Sequence, residues 1–430
     1  MKKFIAILSI LFLLVSFAVF SGGQSEQKKT AEKEEPKALR IKSVAWLTQK
    51  AFIGEAADDF MKQYPDVKIT FESFADEEVQ KLMILWASGK SDTDIAVVQD
   101  PSGTTGFVIK DLIYNYDDLG LWKDFSKDKL LKSFLDIATI KDKVYYLPIM
   151  GEVYTFNINK ITLKEAGVIG ADGKVPELKD WDDLIVVARK TKAITKDPPM
   201  SINFASRVPY FIMHCFYGQL KGLKGTMFES DGTTLLTDTP EARTNLKYWK
   251  MALDEGLATN ATMTDLNAGR KLYSAGKIPI LYESGSRWQE VAPVLGSDNV
   301  GPMPFPGSLK NGANLFIAGF AIPKASPAPK TALKFLRETY LTDKYQSKML
   351  NIWGKMPTLK SAYDFAVSPG WGLMKQIAES STAFPQYREF NIFADAAGDL
   401  MVQYLNGKID MDTALSKIKE QLNKIDKNIY

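Results

Sequence analysis

His214 and Cys215 are the only histidine and the only cysteine in 430 residues, and that scarcity limits the chemistry at once. A multi-histidine or cysteine–histidine zinc site cannot be assembled, and no disulfide can form within the chain. A catalytic triad with a histidine base would have to run through His214. The pair sits inside the aromatic run Tyr210 to Tyr217, so it reads as a packed, hydrogen-bonded imidazole beside an inert buried thiol. Tandem tyrosines such as Tyr145-Tyr146 can hold iron, but these stand just before Pro148 and read as strand. What remains is a set of carboxylates and aromatic rings. Asp100 lies just beyond the apolar run ending at Val98, Glu152 comes four residues after Pro148, and Trp46 and Trp288 each follow a strand end. Two carboxylates about 5–10 Å apart can break a glycosidic bond as acid and nucleophile. Rings and carboxylates together can instead hold a polyhydroxylated ligand without reaction, the rings on its C–H faces and the carboxylates on its hydroxyls.

These residues need a scaffold, and the hydrophobic pattern supplies one. Leu39 to Ala45 alternates apolar and polar residues and reads as a first strand. Phe52 to Tyr64 has a helical period and stops before Pro65. Val67 to Phe71 is a second strand, Glu77 to Ser88 a second helix, and Asp94 to Val98 a continuous apolar strand of the kind buried on both faces of a parallel sheet. That β-α-β-α-β order predicts a doubly wound α/β layer. A second α/β region follows Pro148. Asp180 and Thr239 are placed to cap two of its helices, and Ile278 to Tyr282 reads as strand. The Pro/Gly-rich stretch Gly301 to Gly307 reads as loop, and Ala318 to Pro323 as strand. The remainder is mostly helical, with segments at Ala328 to Tyr340, Lys344 to Asn351, Trp371 to Ser380, Phe390 to Leu405 and Met411 to Ile425.

Composition agrees with a globular chain of roughly two or three domains, with 45% of residues hydrophobic and 24% charged. Met1-Lys2-Lys3 followed by the apolar stretch Phe4 to Phe20, with Ser21 and Gly23 ahead of Gln24, reads as a cleaved export signal over residues 1–23. An uncleaved anchor is the rival reading. No cysteine stands near the junction, so no lipid can be attached to an N-terminal cysteine there. Residues 24–37 carry four acids, four lysines and no large apolar side chain, and read as a flexible tether. Removing Lys2 and Lys3 leaves 52 basic against 51 acidic residues. That balance gives no footprint for nucleic acid and suits an uncharged partner.

The order of these segments resembles the extracellular solute-binding proteins of ABC importers, in particular the maltose-binding-protein-like sugar-binding family. The matching pieces are Lys143 to Pro148 with Tyr154 to Lys160, Leu236 to Ala242 with Tyr248 and Gly256, Leu272 to Lys277 and Pro279 to Gly285 with Trp288, Ala318 to Ser326, Ala332 to Tyr340, Gly354 with Pro357, and Asp412 to Asn423. The resemblance implies an α/β, two-lobed periplasmic-binding-protein fold, each lobe a sheet flanked by helices and joined to the other by hinge strands. Residues 38–149 and 313–362 would form the N-terminal lobe, and 150–312 with 363–430 the C-terminal lobe. It implies a monomer in the periplasm or on the outer face of the cytoplasmic membrane. Such a protein captures a saccharide by hinge closure and delivers it to permease subunits driven by a cytoplasmic ATPase, with no reaction, cofactor or metal. Its ligand contacts would be Trp46, Asp100, Glu152, Tyr210, Trp288, Trp353, Phe384 and Tyr387. Arg207 and Val208 precede Tyr210 where the family carries an acid, so the ligand itself can differ. The same fold holding a peptide or another solute is the alternative, with a glycoside hydrolase behind it.

Overall fold

The computed structural model describes residues 37–427 apart from 49, 75–77, 205–211, 266 and 386. The export signal, most of the tether and Tyr210 therefore lie outside the described residues, as do the side chains of Trp46 and Asp100.

β1 (Ala38–Val44), β2 (Lys68–Phe74) and β3 (Ile95–Gln99) run parallel in the order β2-β1-β3. The connection from β1 to the parallel β2 is made by the helix Ile53–Gln63, which turns Ile53, Ala56, Ala57 and Phe60 inward at helical spacing. β3 is an interior strand, paired on one edge by β1 and on the other by a later strand, and its apolar residues Ile95 to Val98 are all buried. A short hairpin of β4 (Thr139–Ile140) and β5 (Lys143–Val144) then leads into β6 (Leu147–Asn159), a strand of 13 residues.

β6 decides the architecture. At about 3.3 Å per residue it is roughly 40 Å long, and its two halves belong to different sheets. Leu147 to Val153 pairs with β10 (Leu315–Ala321), which in turn pairs antiparallel with β3 and completes the first sheet as β2-β1-β3-β10-β6. β11 (Met356–Pro357) joins the other edge of this half at Met150 and Gly151. Tyr154 to Ile158 pairs with β8 (Ile280–Ser284), which carries β7 (Met200–Ile202) in parallel. Phe156 to Asn159 also pairs with β9 (Val300–Met303). Pro148 and Gly319 face each other at a register shift, where a side chain on Gly319 would meet the Leu147 carbonyl at 2.3 Å. Only glycine permits that approach.

Helices cover the second sheet. Asp180 caps the helix Trp181–Lys192 by accepting from the Asp183 N–H at 3.0 Å, and Thr239 caps Pro240–Asp254 through the Ala242 N–H at 3.1 Å. Trp181 Nε1 donates to Asn245 Oδ1 at 2.8 Å and ties the two helices together.

Three local expectations change. Gly301 to Met303 is strand rather than loop, because Pro302 pairs with Asn157 on an edge where its missing N–H costs nothing. Tyr145 and Tyr146 precede the strand instead of lying in it. Ile212 to Tyr217 and Met349 to Trp353 are π-helical turns, a rare form that favours functional sites. Among the described residues no helix is long and apolar enough to cross a membrane, and no group of three His, Cys, Asp or Glu could hold a metal ion.

Candidate ligand site

Side chains alternate across β6, and at the passage between its two sheets the two faces differ. On one face, Gly151 lies under the helix Lys132–Ala138, where a Cβ would come within 2.5 Å of Phe134 Cζ. Thr155 on that face meets Gly285, against which Met374 of the helix Gly370–Glu379 is pressed. The other face carries Glu152 and Tyr154. Strand register sets Phe316 opposite Glu152 and Ser284 opposite Tyr154.

The aromatic groups of this face join one another. His214, in the first π-helical turn, lies flat on Tyr154 with ring centroids 4.0 Å apart and 2° between planes. Phe384 meets the imidazole edge to face at 5.1 Å and Phe316 at 6.3 Å. All four rings are buried.

Charge sits beside them. Lys355 Nζ reaches Glu152 Oε1 at 2.5 Å, the side chains being 7% and 14% exposed. Gly354 makes this possible. It closes the second π-helical turn with φ of 75°, and a side chain there would strike Gln289 Oε1 at 2.6 Å. Lys355 Nζ also donates to Ser284 Oγ at 3.5 Å. Arg287 bonds Glu283 at 2.7 Å and Glu290 at 2.5 Å, and Arg270 closes on the same Glu283 from the neighbouring helix. Burial on its own would raise the Glu152 carboxyl, but Lys355 and Arg287 outweigh it and bring the group down to about 2. Burial lowers Arg287 in the same way, and Glu283, Glu152 and Glu290 reverse the effect. Lys355 thus balances Glu152 beside the rings, while Glu283, level with Thr155 on the other face, is held by Arg270 and Arg287.

The structure brings two of the sequence-derived candidates, Glu152 and Phe384, into this cluster. Trp353 ends the π-helical turn two residues before Lys355. Trp288 is elsewhere. Its main-chain N–H donates to Asn157 Oδ1 at 2.9 Å, and its ring, 1% exposed, packs on Trp371 at 5.5 Å. The Tyr387 hydroxyl is engaged by backbone, donating to the Thr233 carbonyl and accepting from the Leu235 N–H at 2.9 Å. The backbones at Trp46 and Asp100 lie directly beyond the C-terminal ends of β1 and β3. β3 stands two strands from β6, about 10 Å, with Gln99 level with Ala318 and Glu152 level with Phe316. Sequence reasoning missed Tyr154, Phe316, Lys355 and the paired role of Arg287. Strand alternation from Glu152 could have found Tyr154, since two residues along a strand share a face.

A model of the bacterial extracellular solute-binding protein family matches residues 55–379. The chain belongs to that family. Membership places this solute-binding protein outside the cytoplasm, and solved structures agree on its two-lobed α/β fold. The GacH receptor of Streptomyces glaucescens, solved unliganded and with acarbose, superposes with a TM-score of 0.73 at 17% identity, covering 90% of this chain and 99% of that one. Maltose-bound MalE3 of T. maritima gives 0.70 at 18% identity over 90% and 99%. The substrate-binding protein Lmo0181 of Listeria monocytogenes, in complex with cycloalternan, gives 0.71 at 18% over 90% and 98%. A protein of Brucella abortus (strain 2308) named as a binding protein is 25% identical over 239 residues, which is 54% of this chain and 53% of that one. The chain thus spans about half the length of the curated relatives it matches.

Proposed function

We propose that this solute-binding protein captures an oligosaccharide between its lobes by hinge closure and hands it to the transmembrane subunits of an ABC importer. The observation that carries the reading is the face of β6 at Glu152 and Tyr154. Aromatic rings there flank an ionised carboxylate whose charge is already balanced, an arrangement matched to the apolar faces and hydroxyls of a neutral sugar. The solved relatives whose ligands are acarbose, maltose and cycloalternan support it. Residues 38–149 with 313–362 and 150–312 with 363–430 are the proposed lobes, hinged where β6 passes between sheets and where the chain enters β10. Closure is driven by ligand because only the closed form touches it from both sides. Trp46, Asp100, Tyr210 and Trp353 are proposed to complete the contacts, and a cleaved leader over residues 1–23 to export the chain. The binding cycle needs no cofactor, and the protein acts as a monomer.

Glu152 is not suited to the general-acid role that hydrolysis would need. A general acid must hold its proton near neutral pH, and Glu152 is drawn down to about 2 by its cationic neighbours.

A thermal-shift screen of the chain from Gln24 onward tests the reading, with neutral oligosaccharides, monosaccharides, amino acids, peptides and polyamines as probes. Ligand at a hundred times its dissociation constant adds about 2.7 kcal/mol of stability, which is read as an upward shift of the melting midpoint. A shift confined to saccharides is expected. A shift with peptides or polyamines alone replaces the cargo and keeps the fold.

A further inference from the structure

Three polar atoms beside the aromatic cluster are buried without a hydrogen-bond partner: His214 Nδ1, Asn314 Oδ1 and Thr382 Oγ1. Asn314 is bonded to both of the other residues. The imidazole N–H of His214 donates to the Asn314 main-chain carbonyl. The Asn314 side-chain amide donates to the carbonyls of Thr382 at 3.3 Å and Ala383 at 3.2 Å. An unpaired buried polar atom is costly, and three on residues linked through Asn314 require a reason.

The bonds already made dictate what these atoms can accept. Because the other ring nitrogen of His214 carries the proton it donates, Nδ1 is a bare lone pair. Because the Asn314 N–H groups are spent on carbonyls, Oδ1 is a lone pair too. Thr382 Oγ1 can turn either way. Two fixed acceptors and one hydroxyl satisfy a group that donates, and they repel a carboxylate, which brings only lone pairs. Asn314 stands where the chain enters β10, two positions before Phe316, which faces Glu152, and His214 and Thr382 meet it there.

We propose that His214, Asn314 and Thr382 form an inner subsite that receives the hydroxyl donors of a neutral saccharide and discriminates against one bearing a carboxylate. The proposal rests on the saccharide reading given above. Burial keeps the imidazole uncharged, with its pKa pulled to about 3, so the acceptor persists through the physiological range. The stacked Tyr154 ring fixes the orientation of the lone pair.

Calorimetric titration of wild type, Thr382→Val and His214→Phe tests this. The probes are maltose, maltotriose, cellotriose and mannotriose, with trigalacturonate as the acidic comparator. Thr382→Val removes no hydrogen bond that the folded chain makes with that hydroxyl, so its melting midpoint should stay within about 2 °C of wild type. Its affinity for the best neutral saccharide should fall about tenfold, the worth of one hydrogen bond. His214→Phe keeps the ring stack and should fall by a similar factor. Trigalacturonate should bind wild type at least about tenfold more weakly than the best neutral trisaccharide. Unchanged affinity in both variants overturns the subsite and leaves the saccharide reading standing, as does tighter binding of trigalacturonate than of every neutral probe. If no saccharide binds wild type, the saccharide reading fails and the subsite falls with it.

Discussion

Lys355→Met is the sharpest probe of the charged face. Glu152 ionises at about 2 instead of its ordinary 4.5. At about 1.4 kcal/mol per tenfold change in proton affinity, that difference is worth about 3 kcal/mol of folding stability at pH 7. Lys355 is its direct partner at 2.5 Å, and removing one member of a buried pair strands the other, at a cost of about 3–5 kcal/mol. The sign with pH follows from the folded group binding its proton less readily than the unfolded one. The stabilisation is complete above pH 4.5 and is lost as pH falls through 2, so wild type and Lys355→Met should differ by several kcal/mol at pH 7 and by about 2 kcal/mol less at pH 3. Urea unfolding followed by circular dichroism at both pH values measures this, and Glu152→Gln/Lys355→Met should recover most of the loss at pH 7. A Lys355→Met protein within about 1 kcal/mol of wild type at pH 7, or a deficit just as large at pH 3, would refute the reasoning.

Other outcomes follow from the same packing. His214 is the only histidine, so the imidazole resonances in an NMR titration belong to it alone. They should stay in the neutral form from pH 8 down to pH 5, and a midpoint near the ordinary 6.5 would contradict the burial. Trp288→Ala should cost about 3–5 kcal/mol in denaturant unfolding, since its ring is enclosed against Trp371. An affinity loss with unchanged stability would instead move the ring into the site. Gly151→Ala should cost about 1–3 kcal/mol because its methyl meets Phe134 at 2.5 Å, a claim that fails if the variant unfolds at the wild-type urea concentration.

Much of the fold was legible because local pattern and final structure agree. The apolar strand at Ile95, the helical period from Ile53 to Gln63 and the caps at Asp180 and Thr239 are local signals that packing reinforces. β9 was hidden because Pro302 argues against a strand until its place on an edge is known. The site was legible only in part. Glu152 announces itself as a lone acid in an apolar strand, whereas Lys355 becomes its partner across 203 positions through a π-helical turn and a left-handed glycine. Trp288 shows the converse: a tryptophan after a strand end looks like a platform, and helix phase turns it inward while Arg287 faces the carboxylates.

The place of β10 between β3 and β6 governs how the chain can assemble. β3 and β6 do not pair with each other, and the strand that fills the gap begins only at Leu315. Until that residue is available, the first sheet keeps two open edges and cannot close its core, however complete its earlier strands are. Contacts of such long sequence separation make folding slow. The first sheet can therefore be completed only after the chain has been made as far as β10, and the second-sheet strands β7, β8 and β9 are all available before it.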